Sequence, residues 1–106
     1  MTDKPNHDIP KPFRDFTEKY PDVAEGYGQM GDAVHDWGPL DKKTRALVKL
    51  TISVGARLEG GVHSHARKAL EAGVEPDEIR HAVILSLPTV GLPSMMAALT
   101  WVEDIL

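Results

Sequence analysis

The sequence predicts an all-α protein, a compact bundle of about five or six short helices. Three observations carry that expectation. Apolar residues recur at three-and-four spacing through the middle of the chain. Prolines and glycines fall between the periodic segments. No stretch alternates apolar and polar residues convincingly enough for a strand. The 106 residues suit one domain, and 42% hydrophobic with 26% charged residues is an ordinary globular composition, which excludes a disordered chain.

Residues 1–11 read as an extended arm, because Pro5 and Pro10 oppose helix until Pro12 can start one. Residues 12–106 are expected to form a single domain. A short helix covers FRDFTEKY and ends before Pro21. Pro21 and Asp22 open a second that runs to Trp37, where Gly38-Pro39 stops it. Asp41 makes a good N-cap for the helix KKTRALVKLTISVGARL, residues 42–58, whose Leu47, Leu50, Val54 and Leu58 form one stripe. Thr51, Ile52 and Val54 would suit a strand, but seventeen residues are too many for one. Glu59-Gly60-Gly61 marks a hinge or junction. VHSHARKALEAG is helical, with Gly73 as its left-handed C-cap. Pro76, Asp77 and Glu78 start the next helix, expected to reach Leu87, and Pro93 starts the last, PSMMAALTWVEDIL.

The net charge is −4, so the chain as a whole has no attraction for nucleic acid or an anionic membrane. Its distribution is more informative. Residues 1–41 hold nine acids and four bases, residues 42–80 five acids and eight bases, and His81 to Val102 none of either. Pro88, Gly91 and Pro93 interrupt that uncharged run, which argues for buried protein over a membrane span. A domain this small buries only about two-thirds of its unfolded surface. Self-association through the His81–Val102 region is therefore expected. Cysteine is absent, which excludes disulfides, thiolate metal sites and thiol redox chemistry. MTDKPNHDIPKPF has no apolar core of a signal peptide, so a cytoplasmic location is the default expectation.

Gly26-Tyr27-Gly28-Gln29-Met30-Gly31 matches GxGxxG, but EKYPDVAE before it is no buried strand. No acidic residue follows about 20 positions on. Small residues that let a helix pack closely are the simpler account. The chemistry-bearing segment is Leu58 to Arg67. On a helix, Leu58, Gly61, Val62, His65 and Ala69 share one face, apolar apart from His65, while Glu59, His63 and Arg67 share another. His65 is thus a candidate for a partly buried imidazole suited to proton transfer, with Gly61 leaving room beside it. A core histidine donating to a backbone carbonyl is the alternative. Catalytic candidates are His65, Glu59 and His63. Candidates for substrate binding are Arg57, Arg67 and His81, the arginines because a guanidinium holds a carboxylate bidentately. No cofactor is implied. A weaker alternative makes Glu59, His63 and His65 metal ligands if the chain bends at Gly60-Gly61. His7 and His35 are expected to be exposed, and Met95 and Met96 to fill the core.

LDKKTRALVKLTISVGARL followed by HSHARKALEAGVEPDEIRHAVILSLPTVGLPSMMAAL resembles the carboxymuconolactone decarboxylase and alkylhydroperoxidase D-like family, over roughly residues 21–105. The carriers are H-x-R-x-A-L-x-A-G, an EI-containing helix and G-x-P before the last helix. The resemblance implies an all-α domain assembling as a homotrimer or homohexamer. The family's peroxidase pattern of a glutamate, CxxC and a histidine falls here on Ala46, Leu58, Gly61 and His65, so only the histidine matches. The decarboxylase branch keeps that histidine without CxxC and acts on a small carboxylated lactone. That implies a lyase-like role for His65, with a small-molecule substrate and no nucleic-acid or membrane partner.

Overall fold

The computed structural model describes residues 9–106, and every helix among them is α-helical, with no strand. The arm expected over residues 1–11, like His7, lies outside the described residues except for Ile9, Pro10 and Lys11. Lys11 is already helical. Contacts along the backbone divide the chain into two compact units, residues 1–38 and 39–106.

The first unit contains α1 (Lys11–Lys19) and α2 (Pro21–Asp36), each with proline in its first turn, where a missing N–H costs nothing. Tyr20, at φ −129° and ψ 64°, separates them. One ring contact joins the pair, Phe13 edge-on to Tyr27 at 6.4 Å, while Phe16 lies 6.2 Å from Phe13 within α1 and 5.7 Å from Tyr20 at the junction. None of the residues of either helix is buried.

The second unit contains α3 (Lys42–Gly55), α4 (Glu59–Glu71), α5 (Pro76–Ile84), the short α6 (Leu87–Val90) and α7 (Leu92–Glu103). Its core is one cluster: Leu50 and Val54 from α3, Val62, Ala66 and Ala69 from α4, Ile79 and Val83 from α5, and Met95, Ala98 and Val102 from α7, with Val74 between helices. Each large member contributes about 1.5–3 kcal/mol on burial. Asp41 caps α3, its Oδ1 accepting from the Thr44 N–H at 2.8 Å. The Thr44 hydroxyl, and after it this backbone bond, lower the Asp41 pKa. A capping box opens α5, where Glu78 Oε1 accepts from the Glu75 N–H at 2.8 Å. Arg80 of α5 clamps Glu103 of α7 with two bonds, Nε to Oε2 at 2.7 Å and Nη2 to Oε1 at 3.1 Å, and reaches Asp77 at 2.9 Å.

Five expectations need correction. The helix predicted to reach Leu58 stops at Gly55: Arg57 takes φ 61°, its N–H bonds Val54 O, and the Leu58 N–H bonds Ser53 O. This is a Schellman closure with arginine in the left-handed position usually held by glycine. Glu59-Gly60-Gly61 is accordingly not a hinge but the first turn of α4. The helix expected to reach Leu87 ends at Ile84, a turn at Leu85-Ser86 leads into α6, and Gly91 at φ 90° closes α6 before α7. Met95 is buried as expected, but Met96 is exposed, and His35 is half-buried. Gly73, at φ 94°, is the left-handed terminator of α4, with the Val74 N–H on Ala69 O and its own N–H on Leu70 O. No helix among the described residues is long and apolar enough to cross a membrane.

Candidate functional site

The candidate residues gather on α4, whose position follows from its composition. Val62, Ala66 and Ala69 are fully buried and form a narrow stripe of small side chains, which lets α4 sit close to its neighbours. A residue to each side of that stripe shows what α4 meets there. On one flank is Gly61: a Cβ added there would lie 2.7 Å from Ser53 Oγ and 3.2 Å from Ser53 Cβ. The backbones of α3 and α4 approach closely at that point, and Ser53 is itself buried. The space over Gly61 is thus filled by Ser53, which corrects the expectation of room for a ligand directly above the glycine.

On the other flank is His63. Its Nε2 lies 2.9 Å from Oδ2 of Asp104, just beyond the end of α7. The histidine side chain is 25% exposed and the carboxylate 53%, so this pair is wetted at its rim. Asp104 holds the imidazole in one orientation and leaves Nδ1 as its second polar atom. It was missed in the sequence because it lies 41 residues from His63. The one available signal was that an acidic pair, Glu103-Asp104, ends the uncharged run.

His65 sits about 200° round the helix from His63, on the α3-side flank of the buried stripe, one turn after Gly61. It is half-buried, as the shared face with Val62 and Ala69 implies. Leu58, expected on that face, is exposed because it is the N-cap outside the helix. Glu59 is exposed in the first turn of α4, where the helix dipole favours its charge, and Arg67 is half-buried two turns on. Arg57 is exposed in the turn before α4. His81 is exposed on the side of α5 opposite the buried Ile79 and Val83, facing away from the core that α4 shares.

The structure therefore places His63 and His65 on opposite flanks of one straight helix. Because α4 is continuous from Glu59 to Glu71, the bend at Gly60-Gly61 that the metal alternative required is absent, and Glu59, His63 and His65 are not gathered within the chain. Among the described residues no three His, Asp or Glu side chains come together in a way that would hold a metal ion. What remains chemically is a half-buried imidazole beside the α3–α4 contact, with arginines before and after it in sequence. A second imidazole, oriented by a carboxylate, stands on the far flank.

A family model described as carboxymuconolactone decarboxylase matches residues 21–104. Over 61 residues, 58% of this chain, it is 33% identical to an uncharacterized protein of Haemophilus influenzae. That match spans about half, 54%, of the relative's length. Over 89 residues, 83% of this chain and 86% of the relative, it is 28% identical to an uncharacterized protein of Methanocaldococcus jannaschii. No solved structure gives a significant match.

Proposed function

The chain belongs to the carboxymuconolactone decarboxylase family, and from that premise we propose that it performs acid–base chemistry on a small carboxylated lactone or related organic acid, with His65 as the central residue. The observation that carries this reading is the position of His65: half-buried, at the edge of the α4 stripe, and within the matched region. An imidazole so placed is partly shielded yet accessible to a proton donor, which a general acid requires.

Loss of carbon dioxide breaks the bond between the carboxylate carbon and the ring. The electron pair left behind delocalises onto the conjugated ester carbonyl, and protonated His65 delivers a proton to carbon. Carbon dioxide leaves, and the neutral imidazole recovers its proton from water. Arg57, in the turn before α4, is the cation available to orient the substrate's carboxylate and to stabilise the developing oxyanion, whereas Arg67 lies on the His63 face of α4, about 200° round from His65. His63, oriented by Asp104 on the far flank, and Glu59 in the first turn stand away from His65 round the helix and take no part in this step. Leu58 and Gly61 supply no thiolate, so hydroperoxide reduction by thiol chemistry is not part of this proposal.

We also read the protein as a homo-oligomer. Ile84, Leu85, Leu87, Leu92 and Met96 are all exposed within the uncharged segment, which supports an association surface there.

The test is release of carbon dioxide from a carboxylated muconolactone by the wild-type protein and by His65→Gln. The expected result is turnover that falls about 10²–10⁴-fold in the variant, the usual worth of a general acid, with an unchanged molecular mass. Turnover equal in both proteins removes His65 from the role. No release by the wild type from any carboxylated lactone overturns the activity and favours a non-catalytic scaffold.

A further inference from the structure

The function proposed above leaves the lysines of the α3–α4 groove without a role. Two close contacts, both within the second unit, set how these helices pair. Ser53 Oγ lies 2.7 Å from a Cβ built on Gly61, and Lys43 Cε lies 3.1 Å from one built on Gly73. Passing along α3 from Lys43 to Ser53 therefore runs back along α4 from Gly73 to Gly61. This antiparallel pairing sets Lys49 level with the turn that begins at His65. Lys49 stands one turn before Ser53 and shares its flank of α3, the one turned to α4. His65 and Lys68, four and seven residues after Gly61, share the matching flank of α4.

Lys49 is half-buried and Lys68 exposed. Burial, and after it the Lys68 charge, hold the Lys49 amine below the usual lysine range, so the two side chains feel each other across the groove. Beyond its cap Asp41, which is held by Thr44, α3 carries no acidic residue. On α4, Glu59 is at the far end and Glu71 lies about 60° round from Lys68, on its outer side. Lys68 makes no ion pair among the described residues. One turn before Lys49, Arg45 sends Nη1 to Leu40 O at 2.8 Å, and its buried Nε has no partner among the described residues. An anion between Lys49 and Lys68 would replace their repulsion with two charge-assisted bonds. It could not be the carboxylate that leaves as carbon dioxide. That group surrenders its charge in the transition state, so a cation bound to it stabilises the starting state more and slows the step. The lysines suit a carboxylate whose charge persists. We propose that Lys49 and Lys68 form a carboxylate-binding subsite across the α3–α4 groove beside His65, holding a carboxylate that the substrate retains. The proposal rests on the reading of His65 as the proton donor in that groove.

A saturated γ-lactone bearing one carboxylate is a probe that does not react, and its methyl ester removes the charge. Titration calorimetry is expected to show binding of the acid by the wild-type protein. Lys49→Met and Lys68→Met should each weaken it about tenfold, the worth of one bond to a charged group, at unchanged helical circular dichroism. Lys49→Arg keeps a cation and should keep most of the affinity. In the carbon dioxide assay each methionine variant should raise KM about tenfold with kcat little changed, the mark of uniform binding. Equal affinity of the wild type for acid and ester would overturn the subsite, as would equal affinity of wild type and methionine variants for the acid. A fall in kcat at unchanged KM would overturn the binding role. Inorganic phosphate displacing the acid at equal concentration would show a site without preference for carboxylate, and would overturn it too. Absence of carbon dioxide release by the wild type removes the His65 reading instead, and the calorimetry then decides the lysine pair by itself.

Discussion

Arg57 occupies a backbone conformation that costs an L-residue about 1–2 kcal/mol and a glycine almost nothing. Arg57→Gly should therefore raise stability by about 1 kcal/mol, a rise in melting temperature of roughly 4–8 °C for a unit of this size. Carboxylate binding should weaken in the same variant if Arg57 has the role proposed for it, a separation of stability from activity that differential scanning and a KM measurement would show. Gly61 behaves in the opposite way. Gly61→Ala pushes a methyl group onto Ser53 Oγ and should destabilise by about 1–3 kcal/mol. Ser53→Ala removes the 2.7 Å contact but leaves Cβ at 3.2 Å, so the double variant should recover part of the loss in denaturant melts.

At the scale of elements, two carboxylates tie helix ends to their surroundings. Hydrogen bonds from Arg80 hold the Glu103 carboxyl below its usual range, and the Thr44 hydroxyl, then its N–H, do the same for Asp41. A lowered folded-state pKa means that the folded protein binds its proton less readily than the unfolded chain does. The stabilisation is therefore present above the ordinary carboxylate pKa and is lost as pH falls through the depressed one. Stability should drop on the acid side of about pH 4, and Glu103→Gln should flatten that limb while lowering stability at neutral pH. Asp41→Asn keeps a capping oxygen, so it should flatten the limb with little loss at pH 7. Urea melts at several pH values would read both effects. The starts of these helices were legible in the sequence, because Asp41, Pro21, Pro76 and Pro93 act through local chemistry. The ends of α3 and α5 were not. Closing α3 on Arg57 defies residue preference, and the turn after Ile84 involves no breaker until Pro88.

For the molecule as a whole, the missing charge between His81 and Val102 pointed to burial in the core and to an apolar surface. The structure contains both, Val83, Met95, Ala98 and Val102 inside and Ile84, Leu85, Leu87, Leu92 and Met96 outside. Leu85→Glu should reduce the particle mass measured by light scattering without loss of helicity; an unchanged mass would remove that surface from assembly. The site was only half legible from sequence. Periodicity within one helix implied a partly buried His65, and that burial is observed, whereas Asp104 reaches His63 only through tertiary packing, which spacing cannot reveal.

The contact between Gly61 and Ser53 also bears on descent. By the resemblance to the peroxidase branch, Gly61 stands where such a relative carries its second thiol. A lone mutation to cysteine there would drive its Cβ to 2.7 Å from Ser53 Oγ. Such a change would lower stability before any second thiol stood at Leu58. Regaining the pair would require position 53 to yield first. Packing between two helices thus makes a thiol at position 61 costly to introduce by a single mutation.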